Sequence, residues 1–112
     1  MQGKKNFTPQ LFVSVNLLDM VPPDNFYRKL LSELDLHFLY KATRSYYGSE
    51  GQESLDPVVF FKILLVGYLN NISSDRHLIA YCSDSLSIRF FLGYDVYEKR
   101  PWQSTISRTR QL

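Results

Sequence analysis

The sequence is poor in the residues that build disulfides, metal sites and nucleophilic centres. Cys82 is the single cysteine among 112 residues, which excludes an intrachain disulfide and a zinc site made of cysteines. The two histidines, His37 and His77, are far apart and in no metal-ligand spacing. No glycine-rich phosphate loop is present. Because Cys82 falls on the apolar face of a predicted helix, we interpret it as a small core residue, and catalysis by this chain is poorly supported.

The sequence also lacks an apolar run long enough to cross a membrane. Its most apolar stretch, Val58–Leu69, is followed at once by the polar pair Asn70-Asn71, whereas a membrane span needs about 20 apolar residues. The basic pair Lys4-Lys5 is followed by no long apolar run, so no signal peptide is recognisable. We therefore expect a cytoplasmic protein with no membrane partner.

Apolar and aromatic residues are plentiful. Hydrophobic residues make up 45% of the chain, with eight Phe, eight Tyr and one Trp. At this length one domain is expected, and large aromatic side chains can supply its core without disulfides.

The segment Asp56–Leu69 predicts the helix around which the domain is built. Asp56 can accept hydrogen bonds from the first free N–H groups, and Pro57 suits the first helical position. The segment is apolar on nearly every face, which predicts a helix buried on all sides. A buried strand is the remaining alternative, and the capping signal and the length argue against it.

Residues 1–23 are predicted to form an N-terminal arm with an extended segment. The helical domain is predicted to span residues 24–112 and so to include the helix over Asp56–Leu69. Apolar residues alternate between Leu11 and Leu17, which is typical of a strand or an extended segment. No second strand candidate is available for pairing, so we favour an extended segment.

Two helices are predicted between this arm and Asp56. Asp24 resembles a cap for a helix over Asp24–Leu34, and Asp35 for a helix over Leu36–Tyr46. In the second helix the following residues are expected to face inwards: Leu36, Phe38, Leu39 and Ala42.

The C-terminal half predicts a tight pair of short helices. Ser73–Asp75 offers a cap for a helix over Asp75–Cys82, Ser83–Ser85 forms a turn, and Leu86–Leu92 forms a helix that ends at Gly93. This spacing is that of a helix-turn-helix unit, although tight helical pairs are common in any small helical domain. The expected fold is all-α, with about five to six helices around a buried central helix.

Positive charge is concentrated at the end of the chain. Net charge is only +2, but the segment Lys99–Leu112 holds four basic residues and no acid. Such an end can face a polyanion. A solvated helix end is an equally good interpretation of charge alone.

The segment Gln103–Arg110 carries chemistry suited to a nucleic acid. Ser104 can cap a helix whose N–H groups and hydroxyls suit phosphate oxygens. Arg108 can contact a phosphate or the O6 and N7 atoms of guanine. A capped surface helix that leads to a further domain fits the same residues, and the pattern does not decide between the two.

Several segments in this order resemble the N-terminal domain of bacterial insertion-sequence transposases of the InsH type. The resemblance runs almost end to end, and the order and spacing of the segments are more specific than any one of them. The matching segments are Phe12–Val15, Leu17–Pro22, Asp56–Val59, Lys62–Leu69, Ile72–Arg76, Arg89–Asp95 and Ser104–Arg110.

The resemblance implies a helical region that binds double-stranded transposon-end DNA and can self-associate. It also implies a separate catalytic DDE domain, RNase H-like in fold, beyond Leu112, in which three carboxylates hold two divalent metals. No residue here matches those carboxylates, so we expect a non-catalytic fragment without cofactor or metal. Pro101–Gln103 departs from the Pro-Asp-His of many relatives, and no role of that histidine carries over.

Two functions are compatible with these observations. In the first, the chain binds transposon terminal repeats, with contacts from Arg76, Arg89, Arg100, Ser104, Thr105, Ser107, Arg108 and Arg110. In the second, it dimerises or docks on the transposase's own catalytic domain without touching DNA. The interface would then be aromatic and would include Tyr46, Tyr47, Tyr94, Tyr97 and Trp102.

Overall fold

The described part of the chain contains helices and no strand. The computed structural model describes residues 2–44, 56–96 and 98. Within these residues the helices are α1 (Leu17–Met20), α2 (Phe26–Glu33), α3 (Phe38–Ala42), α4 (Pro57–Leu69), α5 (Asp75–Asp84) and α6 (Leu86–Leu92). The all-α fold class is confirmed.

The start of α4 is the one that its sequence predicts. Asp56 Oδ1 accepts hydrogen bonds from the N–H groups of Val58, at 2.8 Å, and Val59, at 3.4 Å. Pro57 occupies the first helical position. A side chain at Gly67 would bring a Cβ within 3.2 Å of Leu78. The missing Cβ therefore lets α5 approach α4 closely.

The prediction that α4 is buried on all sides is wrong. Ile63, Val66 and Gly67 are buried, but Tyr68 is 83% exposed, Leu69 44% and Phe61 41%. Helix α4 packs against α3, α5 and α6. Hydrophobicity alone predicted burial, and it does not reveal that these neighbours leave part of the helix uncovered.

The core lies around α6, which packs against α1, α2, α4 and α5. Its buried members come from the last three helices and are Ile63, Val66, Leu78, Cys82, Ile88, Phe91 and Leu92. Helix α2 covers this cluster with partly buried side chains, among them Tyr27 and Leu31. The shortest of the C-terminal helices thus occupies the most central position.

Local capping explains why so short a helix as α6 forms. The Ser85 hydroxyl accepts a hydrogen bond from the Ile88 N–H at 3.2 Å. Gly93 adopts a left-handed conformation with φ of 85°, and its N–H donates to the carbonyl of Arg89 at 2.9 Å. The predicted bounds of α6 are confirmed. Helix α5 also starts as predicted, capped by Ser74, and ends at Asp84.

The N-terminal half departs further from its prediction. Helix α1 interrupts the segment predicted to be extended, with Asn16 Oδ1 accepting from the Leu18 N–H at 3.0 Å. Asn25, not Asp24, caps α2, since its Oδ1 accepts from Tyr27 and Arg28 at 2.9 and 3.2 Å. Adjacent Asp and Asn residues are both good caps, so sequence alone chose the wrong one.

Helix α3 is shorter than predicted and faces differently. It begins at Phe38, two residues after Leu36, and the Asp35 carboxylate accepts from the His37 N–H at 3.1 Å. Leu36 is buried as expected, but Phe38 and Ala42 are exposed. Of the predicted inward residues within the helix itself, Leu39 is the one that is partly buried. The predicted end at Tyr46 lies outside the described residues.

The caps of α2 provide a stability test with a matched control. We expect Asn25→Ala to lower the free energy of unfolding by about 1 kcal/mol, because two N–H groups lose their acceptor. Asp24→Ala, next to it, should change that free energy by less than about 0.5 kcal/mol. Urea denaturation measures both, and a larger effect at Asp24 would contradict the assignment of the cap.

Candidate nucleic-acid interface

The two helices of the predicted helix-turn-helix unit meet at a single residue. Ser85 ends α5 and caps α6 with an extended backbone, φ −106° and ψ 121°, so the predicted Ser83–Ser85 turn shortens to its last residue. A helix-turn-helix unit of the DNA-binding kind has a turn of about three to four residues. The helix-turn-helix assignment therefore stays a prediction.

Helix α6 is poorly placed to enter a DNA groove. A recognition helix presents side chains to the base edges, yet every residue of α6 is buried or partly buried. Ile88, Arg89, Phe91 and Leu92 are the buried ones. Helix α6 belongs to the core.

Arg89, a predicted DNA contact, lies inside the fold. Its side chain is 7% exposed. Nε donates to the carbonyl of Ser83 at 3.1 Å, and Nη1 donates to the carbonyl of Asp95 at 2.7 Å. These hydrogen bonds join the end of α5 to the segment after α6. We therefore interpret Arg89 as a residue that holds the fold together.

Arg76, the other described candidate, is exposed in the first turn of α5. Its neighbours Asp75 and His77 share this turn, and the Ser74 hydroxyl caps it by accepting from the His77 N–H at 3.4 Å. An exposed guanidinium can reach a phosphate group, so the position of Arg76 is compatible with the prediction.

The remaining predicted contacts lie outside the described residues; they are Arg100, Ser104, Thr105, Ser107, Arg108 and Arg110. The sequence nevertheless divides the charge sharply. Lys99–Leu112 carries four of the 13 basic residues and none of the 11 acids, so the preceding residues are net negative. Any attraction for a polyanion therefore resides chiefly in this last segment.

A second internal arginine was not anticipated from the sequence. Arg28 Nη1 donates to the carbonyls of Leu18, at 2.9 Å, and Val21, at 2.5 Å. Its guanidinium also lies 5.3 Å from the centre of the Phe90 ring. Arg28 thus joins α1 and α2 to α6, and no sequence signal distinguishes it from a solvated arginine.

Lys62 is likewise turned towards the core. Its Nζ donates to the carbonyl of Phe91 at 3.0 Å and lies 5.2 Å from the centre of the Phe91 ring. Burial lowers the pKa of Lys62 from its ordinary value. Lys62, the one charged residue of α4, is therefore hydrogen-bonded to the C-terminal end of α6.

The described residues offer little for catalysis. Cys82 is fully buried, and burial raises the pKa of its thiol to about 12, which confirms a core residue rather than a nucleophile. His37 and His77 lie edge-on to Tyr40 and Tyr81. Within the described ranges no three His, Cys, Asp or Glu side chains are grouped to hold a metal. No described helix is long and apolar enough to span a membrane.

An open cavity of about 350 Å³ lies between α1 and the segment after α6. Its lining is Asn16, Leu17, Leu18, Phe90, Gly93, Tyr94, Asp95 and Glu98. The charged members of this lining are both acids, which repel phosphate groups. The cavity is therefore unsuited to a nucleic acid.

Comparison with protein families gives the chain its affiliation. The family model described as Transposase domain (DUF772) matches residues 15–112. The chain belongs to this transposase-domain family. Comparisons with curated proteins and with solved structures give no significant match. Membership in the family supports a role in transposition, and the match to the transposase domain includes every predicted DNA contact.

Arg89 and Arg76 are the two predicted DNA contacts that the structure describes, and they should differ in how much they contribute to stability. We expect Arg89→Met to lower the free energy of unfolding by about 2–3 kcal/mol, because two partly buried carbonyls lose a charged donor. Arg76→Met should change it by less than about 0.5 kcal/mol, as is usual at an exposed position. Guanidinium denaturation compares the two variants, and equal effects would contradict the internal role of Arg89.

Proposed function

We propose that this transposase domain is a non-catalytic module that recognises transposon-end DNA. The observation that carries the proposal is the segregation of charge, with four basic residues and no acid in Lys99–Leu112 of a chain whose remainder is net negative. Within the transposase-domain family, double-stranded DNA is the polyanion that such a segment would meet. A cytoplasmic location agrees with this partner.

The contacts divide by chemistry. Arg108 forks onto a phosphate group or onto the acceptor edge of guanine. Arg76, Arg100 and Arg110 neutralise phosphates. The hydroxyls that donate to phosphate oxygens are those of Ser104, Thr105 and Ser107.

Arg89 is omitted from this set of contacts. Its guanidinium is buried and donates to the carbonyls of Ser83 and Asp95. In the proposed module it fixes the segment that precedes the basic end.

The resemblance to InsH-type transposases extends the proposal to the whole protein. We infer that a DDE domain elsewhere in the full-length transposase cuts and joins the strands, with its divalent metals stabilising the attacking and leaving oxygens. The module described here would bring the transposon end to that domain. It would require no cofactor of its own.

DNA binding has a measurable salt signature. If four arginines neutralise four phosphates, the logarithm of the binding constant should fall with the logarithm of salt concentration with a slope of about −3.6. The double variant Arg108→Ala, Arg110→Ala should bind more weakly and flatten that slope by about 2. Fluorescence anisotropy with a duplex carrying the element's own terminal repeat measures both quantities.

The matched control is the double variant Lys41→Ala, Arg44→Ala, which removes the same charge from exposed positions in and beside α3. It should leave affinity and slope nearly unchanged. A scrambled duplex separates recognition from general attraction, and no strand should be cleaved when magnesium or manganese is added. If the chain fails to bind the terminal repeat even at low salt, the proposal is wrong.

Self-association or docking remains the second candidate function. Of the aromatic residues predicted for it, Tyr94 is partly buried against the core, and Tyr46, Tyr47, Tyr97 and Trp102 lie outside the described residues. The observation that favours this function is a different one, namely the exposed apolar side chains of α4.

A further inference from the structure

The N-terminal arm, here residues 2–14, is a segment without regular structure that solvent reaches throughout. Its residues form neither helix nor strand, and each of them is exposed. Lys5 Nζ donates to the carbonyl of Asn6 at 2.7 Å and lies 5.9 Å from the centre of the Phe7 ring. Both contacts are made within the arm at exposed positions. A partner in solvent can therefore reach the arm's charged side chains.

The arm is basic in a chain whose acids all lie elsewhere. Lys4 and Lys5 belong to residues 1–18, which hold no acid, and the 11 acids of the chain all fall within residues 19–98. The basic end, Lys99–Leu112, likewise holds no acid. Two segments, far apart in sequence, therefore carry the charge that suits a polyanion.

The structure brings the roots of these two segments together. The arm leads into Asn16, which caps α1. Asn16 and Leu17 line the open cavity of about 350 Å³ together with Asp95 and Glu98. Lys99, the first residue of the basic end, follows Glu98 directly in the sequence. The arm and the basic end thus start from the same place on the body.

Two arginines hold this arrangement to α6. Arg28 Nη1 donates to the carbonyl of Leu18 at 2.9 Å, just after the arm, and its guanidinium lies 5.3 Å from the centre of the Phe90 ring. Arg89 Nη1 donates to the carbonyl of Asp95 at 2.7 Å, just before the basic end. The roots of the two segments are therefore fixed to neighbouring residues of one buried helix.

The arm has the shape and the chemistry of a segment that lies in the minor groove of DNA. This groove, about 6 Å wide, is much narrower than the major groove that admits a helix. Pro9 disfavours a helix and favours extended backbone at Thr8 before it. Proteins that bind the minor groove combine Lys, Asn and Gln with apolar side chains. The arm supplies all of these types, in Lys4, Lys5, Asn6, Phe7 and Gln10.

We propose that the arm is a second DNA-contacting segment, which lies in the minor groove next to the site contacted by the basic end. Lys4 and Lys5 neutralise phosphates along this groove, and Phe7 lies within it. The inference rests on the proposed recognition of DNA. It adds to that function a segment outside residues 15–112, the part that the family model matches.

The arm is long enough for this placement. Lys5 lies eleven residues before Asn16, which allows a reach of about 35 Å when extended. Adjacent grooves are about 17 Å apart along the duplex, half of a helical turn of about 34 Å. Asp95 and Glu98 at the root repel phosphates, but charges more than about 8 Å apart are largely screened at physiological salt. Lys4 and Lys5 therefore act beyond the influence of these acids.

Binding of the terminal-repeat duplex, followed by fluorescence anisotropy, tests the contribution of the lysines. The double variant Lys4→Ala, Lys5→Ala should weaken binding by at least about tenfold at 0.1 M salt and flatten the salt slope by about 1.8, because two phosphate contacts are lost. The matched control is Lys29→Ala, Lys41→Ala, which removes the same charge from exposed positions on α2 and α3. It should change the affinity by less than about twofold.

A DNA-cutting reagent attached to the arm identifies the groove. Thr8→Cys provides the attachment site for an iron chelate that generates hydroxyl radicals. The Cys82 thiol is fully buried, and burial raises its pKa to about 12, so it stays unlabelled. A source of radicals in the minor groove cuts the two strands at positions shifted towards their 3′ ends, whereas one in the major groove shifts the cuts towards the 5′ ends. We expect a localised 3′-shifted pattern with Thr8→Cys, and no localised cutting with Lys41→Cys.

The outcomes separate this inference from the proposed function. If Lys4→Ala, Lys5→Ala binds with the affinity and slope of the unchanged chain while Arg108→Ala, Arg110→Ala binds weakly, the arm proposal is wrong and DNA recognition stands. A 5′-shifted pattern, or no localised cutting from Thr8→Cys, also overturns the proposal and leaves the arm's exposed apolar residues to a protein partner. If the unchanged chain does not bind the duplex at all, both proposals are wrong.

Discussion

The burial of α6 is the constraint on which the rest of the structure depends. Seven residues, Leu86–Leu92, pack against α1, α2, α4 and α5. A helix this short is unstable alone, so its caps at Ser85 and Gly93 and its apolar contacts must act together. Three charged side chains also contact α6 or the residues beside it. Arg89 donates to the carbonyls on either side of α6, Lys62 to the carbonyl of Phe91, and Arg28 stacks on Phe90.

This centre determines which surfaces are left for function. Because α3, α5 and α6 leave part of α4 uncovered, its side chains Phe61, Tyr68 and Leu69 stay exposed. Because the Arg89 side chain is buried and donates to the carbonyls of Ser83 and Asp95, Arg76 is the one described residue among the DNA contacts predicted from the sequence that is exposed. The uncovered apolar residues of α4 and the basic segment proposed to bind DNA are thus separate parts of the sequence of this transposase domain.

The sequence predicted the features that depend on a few adjacent residues. Asp56 with Pro57, and Ser85 with Gly93, define helix ends by chemistry that acts within one turn, and these bounds were confirmed. Burial was harder to predict because it depends on which helices become neighbours. The all-apolar α4 was expected to be buried on every side, although Tyr68 is mostly in water. Arg89 was expected on the surface, as arginines usually are, and no local pattern indicates the two carbonyls that bind it. Phe38 was expected to face inwards and is 62% exposed, because the neighbours of α3 and not its apolar spacing decide which side is covered.

Native-state amide hydrogen exchange tests the central position of α6 most directly. Exchange rates report the free energy of the opening that exposes each amide. If α6 is the centre of the fold, the amides of Phe91 and Leu92 should exchange only through global unfolding and be among the slowest in the chain. The amides of α1 and α3 should exchange much faster. Fast exchange throughout α6, together with the strongest protection in the middle of α4, would contradict this account.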